Sequence, residues 1–524
     1  MWHHADIHAV PDIVRHNAAI SPDKTALIQG ARTETFAALD LATNRLANAI
    51  LSRKLPFEPV IAFIGKNSIP FFEVLFGATK AGCAMLPLNW RLAAAELVTI
   101  LDDARPTIVF VDEEFAPLIR ATEAVSSARF ETVMFSSASE GASGLEAWSA
   151  DFSTTDPLIP SQPLDVALLM YTSGTTGTPK GVELTHQGLN YMRLCESLEP
   201  ELQWRNDDCL MMVMPNFHLL GAGIPLQSLY NGSKVSILPV LEPGKLLARI
   251  QSDRPTIIVL APTVIQMMLD HPAAAATDFS SLRYVMYAGS PINATLLRRA
   301  LVEMKCEFIQ FYGATESSGA LTILRPVQHD LVEEQKLRSC GTPLPLIEIR
   351  VTGPDGEAVP DGEIGEFNVR SPTLFRGYRN QPAATRAVLS KGWFRTGDAG
   401  YRDPKDGLLY IVDRVKDMIV SGGENIYSAE VEQAVQKHPA VSMCAVIGAP
   451  DARWGEKVVA FIVLKQGAVL TADELIAHSR TLIAGFKVPK DVRFVESLPI
   501  SPAGKVLKRT LRDEVWKGQD RAVA

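Results

Sequence analysis

Cysteine is sparse and never adopts a paired spacing. The six residues, Cys83, Cys195, Cys209, Cys306, Cys340 and Cys444, include no CxxC. That excludes the usual zinc-binding and disulfide-framework patterns and suits a reducing compartment, so a cytoplasmic location is expected. An excess of positive charge is also missing: 51 Lys and Arg stand against 59 Asp and Glu, for a formal net charge of −8. Such a chain gains nothing from a polyanion's field, which argues against nucleic acid as a partner. The N-terminus, MWHHADIHAVPDIVRHNAA, has no basic start leading into an apolar stretch, so no signal peptide is expected. One segment, Cys209 to Ser233, carries no Asp, Glu, Lys or Arg and is long enough to span a bilayer. Its Pro215, Asn216, His218, Pro225, Gln227 and Asn231 would disrupt a lipid-exposed helix. It reads instead as buried strand, loop and helix, with no transmembrane segment.

What remains is ample core material. With 524 residues, 47% of them hydrophobic, the chain suits two to four domains at about 150 residues each. Residues 36–54 place apolar groups at helical spacing, and VIAFI at 60–64 reads as a buried strand. The alternation recurs in FFEVLFGATKAG then AMLPLN, LVTILDDAR then TIVFVD, and LLARIQSDR then TIIVLAP. Helices alternating with fully apolar strands imply parallel sheets covered on both faces. From Cys340 to Asp413, dense glycine and proline predict antiparallel hairpins and turns. Beyond Asp413 the texture is compact α+β: a helix at SAEVEQAVQKH, strands at CAVIGAP and VVAFIVLK, and a helix at TADELIAHSRTLI capped by Thr471.

The densest chemistry lies at 165–190, DVALLMYTSGTTGTPKGVELTHQGLN. An apolar strand enters a loop of hydroxyls and glycines closed by Lys180, after which a helix is expected. Small residues let backbone N–H groups approach a phosphate, hydroxyls add donors and lysine adds charge. The loop is not a Walker A motif, because Pro179 precedes Lys180 and Gly181 follows it. GAGIPL at 221–226 lacks the third Rossmann glycine, and no GxSxG elbow is present. Kinase, dehydrogenase and α/β-hydrolase readings thereby lose their main support.

The loop resembles the signature of the acyl-adenylate-forming superfamily, which includes acyl-CoA synthetases, luciferases and peptide-synthetase adenylation domains. Further motifs follow in that family's order: MPNFHLLG (214–221), YGATES (312–317), WFRTGD (393–398), DRVKDMIVSGGENIY (413–427) and PAGKVLKR (502–509). Together they cover essentially the whole chain, and it looks most like fatty-acyl and aryl acid–CoA ligases. The resemblance implies an α/β fold. Its large N-terminal domain would hold parallel sheets flanked by helices and a small β-barrel-like subdomain, followed by a small mobile α+β C-terminal domain. The implied division is an adenylation domain at 1–413, a hinge at 414–418 that pivots about Lys416, and a lid at 419–524.

Two half-reactions are implied. A carboxylate attacks the α-phosphorus of ATP to give acyl-AMP and pyrophosphate, and CoA then displaces AMP. Phosphoryl transfer asks for positioning and charge neutralisation, and the matched residues are of that kind. The nucleotide would meet Thr172, Ser173, Gly174, Thr175, Thr176, Gly177, Thr178, Pro179 and Lys180. It would also meet Gly289, Ser290 and Pro291, and Tyr312, Gly313, Ala314 and Thr315, with Tyr312 stacked on adenine and Thr315 on the α-phosphate. Glu316 would hold Mg²⁺, with Thr172 a second candidate contact. Asp398 would take the ribose hydroxyls and Arg414 a neighbouring oxygen. Lys505 would bridge carboxylate and α-phosphate oxygens, an electrostatic role. His218 would wall the acyl pocket and gate the thiol's approach. CoA would meet Arg91, Gly422, Gly423, Trp454, Phe486, Lys487 and Lys490.

The reading at this stage is an ATP-, Mg²⁺- and CoA-dependent ligase for a medium- or long-chain fatty acid. Aryl, short-chain or sulfur-containing acids stay open, as does a stand-alone enzyme loading a carrier protein. A non-catalytic nucleotide binder is the rival from another class. Oligomeric state, a homodimer included, is left open.

Overall fold

The computed structural model describes residues 4–137, 144–172, 179–289, 292, 294–329, 331–333, 335–422, 424–500 and 506–517. By contacts the chain forms two compact units. One is Met1–Glu348 with Arg370–Phe394, and the other is Ile349–Val369 with Arg395–Ala524.

The first unit is built on two sheets. A seven-stranded sheet runs in the order Gly377–Tyr378, Lys180–Thr185, Val166–Thr172, Ala84–Pro87, Val60–Ile64, Ile108–Asp112, Glu131–Phe135. VIAFI is buried at every position and pairs in parallel with both neighbours, as a strand covered on both faces must. We label Val166–Thr172 β1, Lys180–Thr185 β2 and the helix His186–Ser197 α1.

The helix expected directly after the loop is preceded by a strand. β2 returns antiparallel on β1 with Thr172 opposite Lys180. Only six residues are available, and Val182 and Leu184 are fully buried, so the segment hides its apolar groups as a strand against β1. The helix starts where Thr185 can cap it: its hydroxyl accepts the Gly188 N–H at 3.0 Å, a cap of about 1 kcal/mol.

The second sheet has nine strands. Its parallel centre contains β3 (Cys209–Met212), β4 (Tyr284–Ala288) and β5 (Glu307–Ala314), and β6 (Gly319–Leu324) pairs antiparallel to β5. The helix Leu219–Tyr230, α2, follows β3. The charge-free stretch 209–233 is therefore strand, turn and helix. Among the described residues no helix is long and apolar enough to cross a membrane.

Two asparagines cross-link the turn before α2 to the first sheet's end. Asn67 accepts the Asn216 N–H and donates to the Met214 and Leu238 carbonyls. Asn216 in return donates to the Gly65 carbonyl. Both are nearly inaccessible, and their exchanged bonds satisfy backbone groups that burial would otherwise leave costly.

In the second unit, the Asp398–Arg402 part of β7 (Trp393–Arg402) pairs antiparallel with β8 (Leu409–Arg414). The α+β portion follows: helix α3 (Ser428–Gln436), strands β9 (Val441–Asp451) and β10 (Gly455–Leu464), a helix at Ala472–Arg480, and the terminal helix α4 (Lys508–Val515). Thr471 caps the Ala472–Arg480 helix in a reciprocal box with Glu474. Leu511 of α4 joins Ala445, Ile447, Val459 and Phe461 in one apolar cluster.

Candidate active site

The turn from β5 to β6 explains the spelling YGATESSG. A Cβ on Gly313 would stand 2.1 Å from the Gly319 carbonyl oxygen, so only glycine allows that approach. Thr315–Ser317 make a single 3-10 turn. The Ser317 hydroxyl accepts the Ala314 N–H at 3.1 Å and lies 2.8 Å from the Ala314 and Gly319 carbonyl oxygens. Ser318, in the left-handed region at φ +56°, donates to the Thr373 carbonyl at 2.7 Å. With both serines buried, Glu316 is left half-exposed beside them.

The Glu316 carboxylate accepts the Tyr378 hydroxyl at 2.8 Å. Its backbone carbonyl accepts the Phe375 N–H at 2.8 Å. Tyr378 lies on the edge strand beside β2, opposite Val182. Arg376 and Arg379, which flank that strand, hold it to the buried Glu183 at 2.8 and 3.5 Å. Arg376 also reaches Glu58 at 2.7 Å, and its hydrogen bond holds the Glu58 carboxyl below the usual range. The other face of the tyrosine is used too: Lys180 Nζ sits 4.8 Å from the ring centroid, a cation–π contact. One tyrosine thus spaces a cation from a carboxylate.

A single carboxylate suits Mg²⁺ when phosphate and water oxygens complete its octahedron. Glu316 meets that need, since it is half-exposed and oriented by a neutral donor, the Tyr378 hydroxyl. No group of three or more ligating side chains occurs among the described residues.

A second cluster gathers around the start of α2. His218 is the helix's N-cap residue, in extended conformation, with its ring 4.8 Å from that of Phe217. Gly221 is required there, because a Cβ would stand 2.0 Å from the Pro215 carbonyl oxygen. Phe217 packs edge-on to Trp90 at 6.2 Å, and the Arg91 guanidinium lies over Trp90 at 4.8 Å and Phe217 at 5.8 Å. Arg91 and His218 therefore share one aromatic cluster. At the end of β4, Gly289 has φ +92°, and the nearest atom to an added Cβ is Leu220 Cδ1 at 3.9 Å.

In the second unit, Asp398 of β7 and Arg414 of β8 are cross-strand partners. Arg414 Nε is 2.7 Å from Asp398 Oδ1, with the carboxylate 6% exposed and the guanidinium 46% exposed. Thr396 shapes the approach, accepting the Asp398 N–H at 3.0 Å while donating to the Phe367 carbonyl at 2.8 Å. Lys416 sits in the 3-10 turn Val415–Asp417, and burial lowers its ammonium to about 8. Gly422, at φ +61°, donates its N–H to the Trp454 carbonyl at 2.8 Å and faces that indole, which is 45% exposed.

Comparison with known proteins decides the family. The profile of the AMP-binding enzyme family matches residues 14–379, and that of the AMP-binding enzyme C-terminal domain matches residues 430–505. The chain belongs to the AMP-binding enzyme family. It is 37% identical to feruloyl-CoA synthase from an Amycolatopsis species, covering 94% of this chain and 96% of that protein. It is 34% identical to the fatty acid–[acyl-carrier-protein] ligase ScoC of Streptomyces coeruleorubidus, covering 99% of each. Its fold is similar to that of o-succinylbenzoate-CoA synthetase (MenE) from Bacillus subtilis, solved with ATP and magnesium ion. That match has a TM-score of 0.83 and 28% identity, covering 95% of this chain and 98% of the other. The protein is an AMP-forming acid–CoA ligase of the acyl-adenylate superfamily, working with ATP, Mg²⁺ and CoA.

Within this acid–CoA ligase, several expected site residues stand together: Thr172 with Lys180, Glu316 beside Thr315, Asp398 with Arg414, Arg91 with the His218 cluster, and Gly422 with Trp454. Phe486 and Lys487 are in contact, with Nζ 5.6 Å from the ring centroid, and Lys487 is also paired with Glu430 at 2.7 Å. Lys490 reaches the Gly485 carbonyl at 3.4 Å. Ser173, Gly174, Thr175, Thr176, Gly177, Thr178, Ser290, Pro291, Gly423 and Lys505 lie outside the described residues. Sequence reasoning missed Tyr378, Glu183 and Arg376. The signals were an acid inside the apolar run GVELT and a Gly-Tyr pair flanked by arginines in FRGYRN.

Proposed function

We propose that the ligase activates a medium- or long-chain fatty acid. The observation that carries this reading is the meeting of Leu220 with Gly289, an apolar side chain facing a residue that has none. The residues expected to wall the acyl site, His218 to Gly223, Tyr287 to Gly289 and Gly313 to Leu321, are mostly small or apolar. An alkyl tail needs no polar partner there and gains about 0.8 kcal/mol per methylene removed from water.

In this reading Lys180 and the backbone donors of the 172–180 loop hold the phosphates. Tyr312 stacks on adenine, Thr315 donates to the α-phosphate, and Asp398 accepts both ribose hydroxyls. Glu316 is the protein's ligand to Mg²⁺, which when bound neutralises polyphosphate charge. Lys505 supplies the cation where the acid oxygen meets the α-phosphorus, and electrostatic terms of this kind are commonly the largest in catalysis. His218 walls the carboxylate end. Arg91, Gly422, Trp454, Phe486, Lys487 and Lys490 serve CoA. Lys416 is the pivot, and a turn that absorbs backbone rotation needs no chemistry of its own. The protein works in the cytoplasm. Among the described residues its six cysteines form no disulfide.

The test is an acid panel, octanoate to stearate alongside ferulate, benzoate and short sulfur-containing acids, read as pyrophosphate release with and without CoA. A fatty acid should give the highest kcat/KM, and CoA should accelerate AMP release. A lead by ferulate, the kind of acid that the relative from Amycolatopsis is named for, overturns the substrate class. AMP release indifferent to CoA but stimulated by an acyl-carrier protein points instead to the acceptor named for ScoC.

A further inference from the structure

Gln227 of α2 is fully buried. Among the described residues neither its Oε1 nor its Nε2 has a hydrogen-bond partner. The backbone around it is well satisfied. The Gln227 carbonyl accepts the Asn231 N–H at 3.3 Å and the Asn231 side-chain amide at 2.9 Å. One turn earlier, Arg193 of α1 donates to the Gly223 carbonyl at 2.9 Å. Only the side-chain amide of Gln227 is left over. Burying a donor and an acceptor unpaired is costly, whereas a leucine would fill a similar volume without that cost.

The place of this amide on α2 is informative. Leu220 meets Gly289, and both belong to the residues expected to wall the acyl site. Seven residues make nearly two helical turns, so Gln227 lies on the same face of the helix as Leu220. Ile224 stands on that face between them, and Gly223 beside it has no side chain to close the passage. Accessibility changes along the face: Leu220 and Ile224 are half-buried, whereas Gln227 is inaccessible. The face is open near the carboxylate end of the site and shut at Gln227. The helical rise puts Gln227 about 14 Å along the axis from His218, the residue set against the carboxylate end. That is the reach of a medium-chain acid.

We infer that Gln227 ends the acyl pocket and binds a hydroxyl at the far end of the acid. The substrate class thereby narrows from a fatty acid to a medium-chain hydroxy fatty acid. The inference rests on the fatty-acid reading and on the wall assigned to the start of α2. A hydroxyl both donates and accepts, and a glutamine amide offers one acceptor oxygen and one donor nitrogen to match it. A methyl end engages neither atom, and a carboxylate would turn its charge toward the amide oxygen. A pocket built to bond a hydroxyl rejects the analogue that lacks it, because the buried polar group is then left unpaired.

The experiment measures pyrophosphate release by the full chain with octanoate, decanoate, dodecanoate and hexadecanoate, each supplied plain, ω-hydroxylated and ω-carboxylated, with ferulate alongside. At one of the shorter lengths the ω-hydroxy acid should exceed the plain acid in kcat/KM by about tenfold. Gln227→Leu should invert that preference and put the plain acid ahead. Gln227→Met repeats the exchange of amide for apolar group without a branch, should leucine disturb the packing, and the wild-type comparison needs no variant. A plain or ω-carboxylated acid equal or ahead at every length in the wild type overturns the hydroxyl assignment, while turnover of those acids leaves the fatty-acid reading intact. A hydroxyl preference that survives in both variants overturns the role of Gln227. A lead by ferulate over every fatty acid overturns the fatty-acid reading itself.

Discussion

The two units treat opposite charges differently. In the first, Lys180 and Glu316 both contact Tyr378, the lysine over its ring and the carboxylate on its hydroxyl. Among the described residues neither forms an ion pair with the other. In the second, Arg414 is bonded to Asp398 directly at 2.7 Å. Polyphosphate and its metal bring large charges of both signs, so a site for them must keep its own charges apart until they arrive. A ligand of neutral hydroxyls makes no such demand, and the Asp398 carboxylate keeps the Arg414 guanidinium as a bonded partner.

The strongest way to break this comparison is to remove the cation assigned to the reacting atoms. Lys505→Ala should cost at least about a hundredfold in ATP–pyrophosphate exchange, while CoA acylation from preformed acyl-AMP continues. If Lys180, held apart from acids by Tyr378, were the cation that matters most in the transition state, the exchange rate would hardly change. An unaltered rate would therefore remove Lys505 from the mechanism.

Most of this was legible before any coordinates. Fully apolar strands such as VIAFI announce a doubly covered sheet, and Thr471 with Glu474 announces a capped helix, because both depend on local pattern. The motifs carried Glu316, Asp398 and Arg414, because each stands inside a short contiguous pattern. Tyr378 was invisible for the opposite reason. It reaches Glu316 from an edge strand 62 residues downstream, and only sheet pairing with β2 brings it there. The return strand β2 was missed because hydroxyl-rich loops read the same whether a strand or a helix follows.

Tyr378→Phe sharpens the comparison. It keeps the ring under Lys180 and deletes the hydroxyl on Glu316, so the charges stay apart but the carboxylate loses its orienting donor. A hydrogen bond to a charged acceptor is worth about 1.5–3 kcal/mol. The expected outcome is a rise of about tenfold in KM for ATP at limiting magnesium, with thioester formation from acyl-AMP unaffected. If KM stays put at every magnesium concentration, the hydroxyl has no part in holding Glu316 for the metal.

The smallest effect concerns stability. The first unit buries two neutral histidines. His186 accepts the Val10 N–H at 3.1 Å, and His329 lies between the Tyr287 hydroxyl at 3.0 Å and the Arg325 carbonyl at 2.8 Å. Burial pulls each down to about 4, below an unfolded value near 6.5. Between those values the unfolded chain binds more protons, so stability falls as pH falls. What the neutral rings contribute is fully present above about pH 6.5 and is lost as pH drops through about 4, at most about 1.4 kcal/mol per pH unit for each ring. His186→Asn and His329→Gln retain an acceptor at the Nδ1 and Nε2 positions without titrating there. Urea unfolding followed from pH 7 to pH 4.5 should show a shallower decline for the double variant than for the wild type. Identical slopes would mean that acid acts on other groups, the second unit's carboxylates among them.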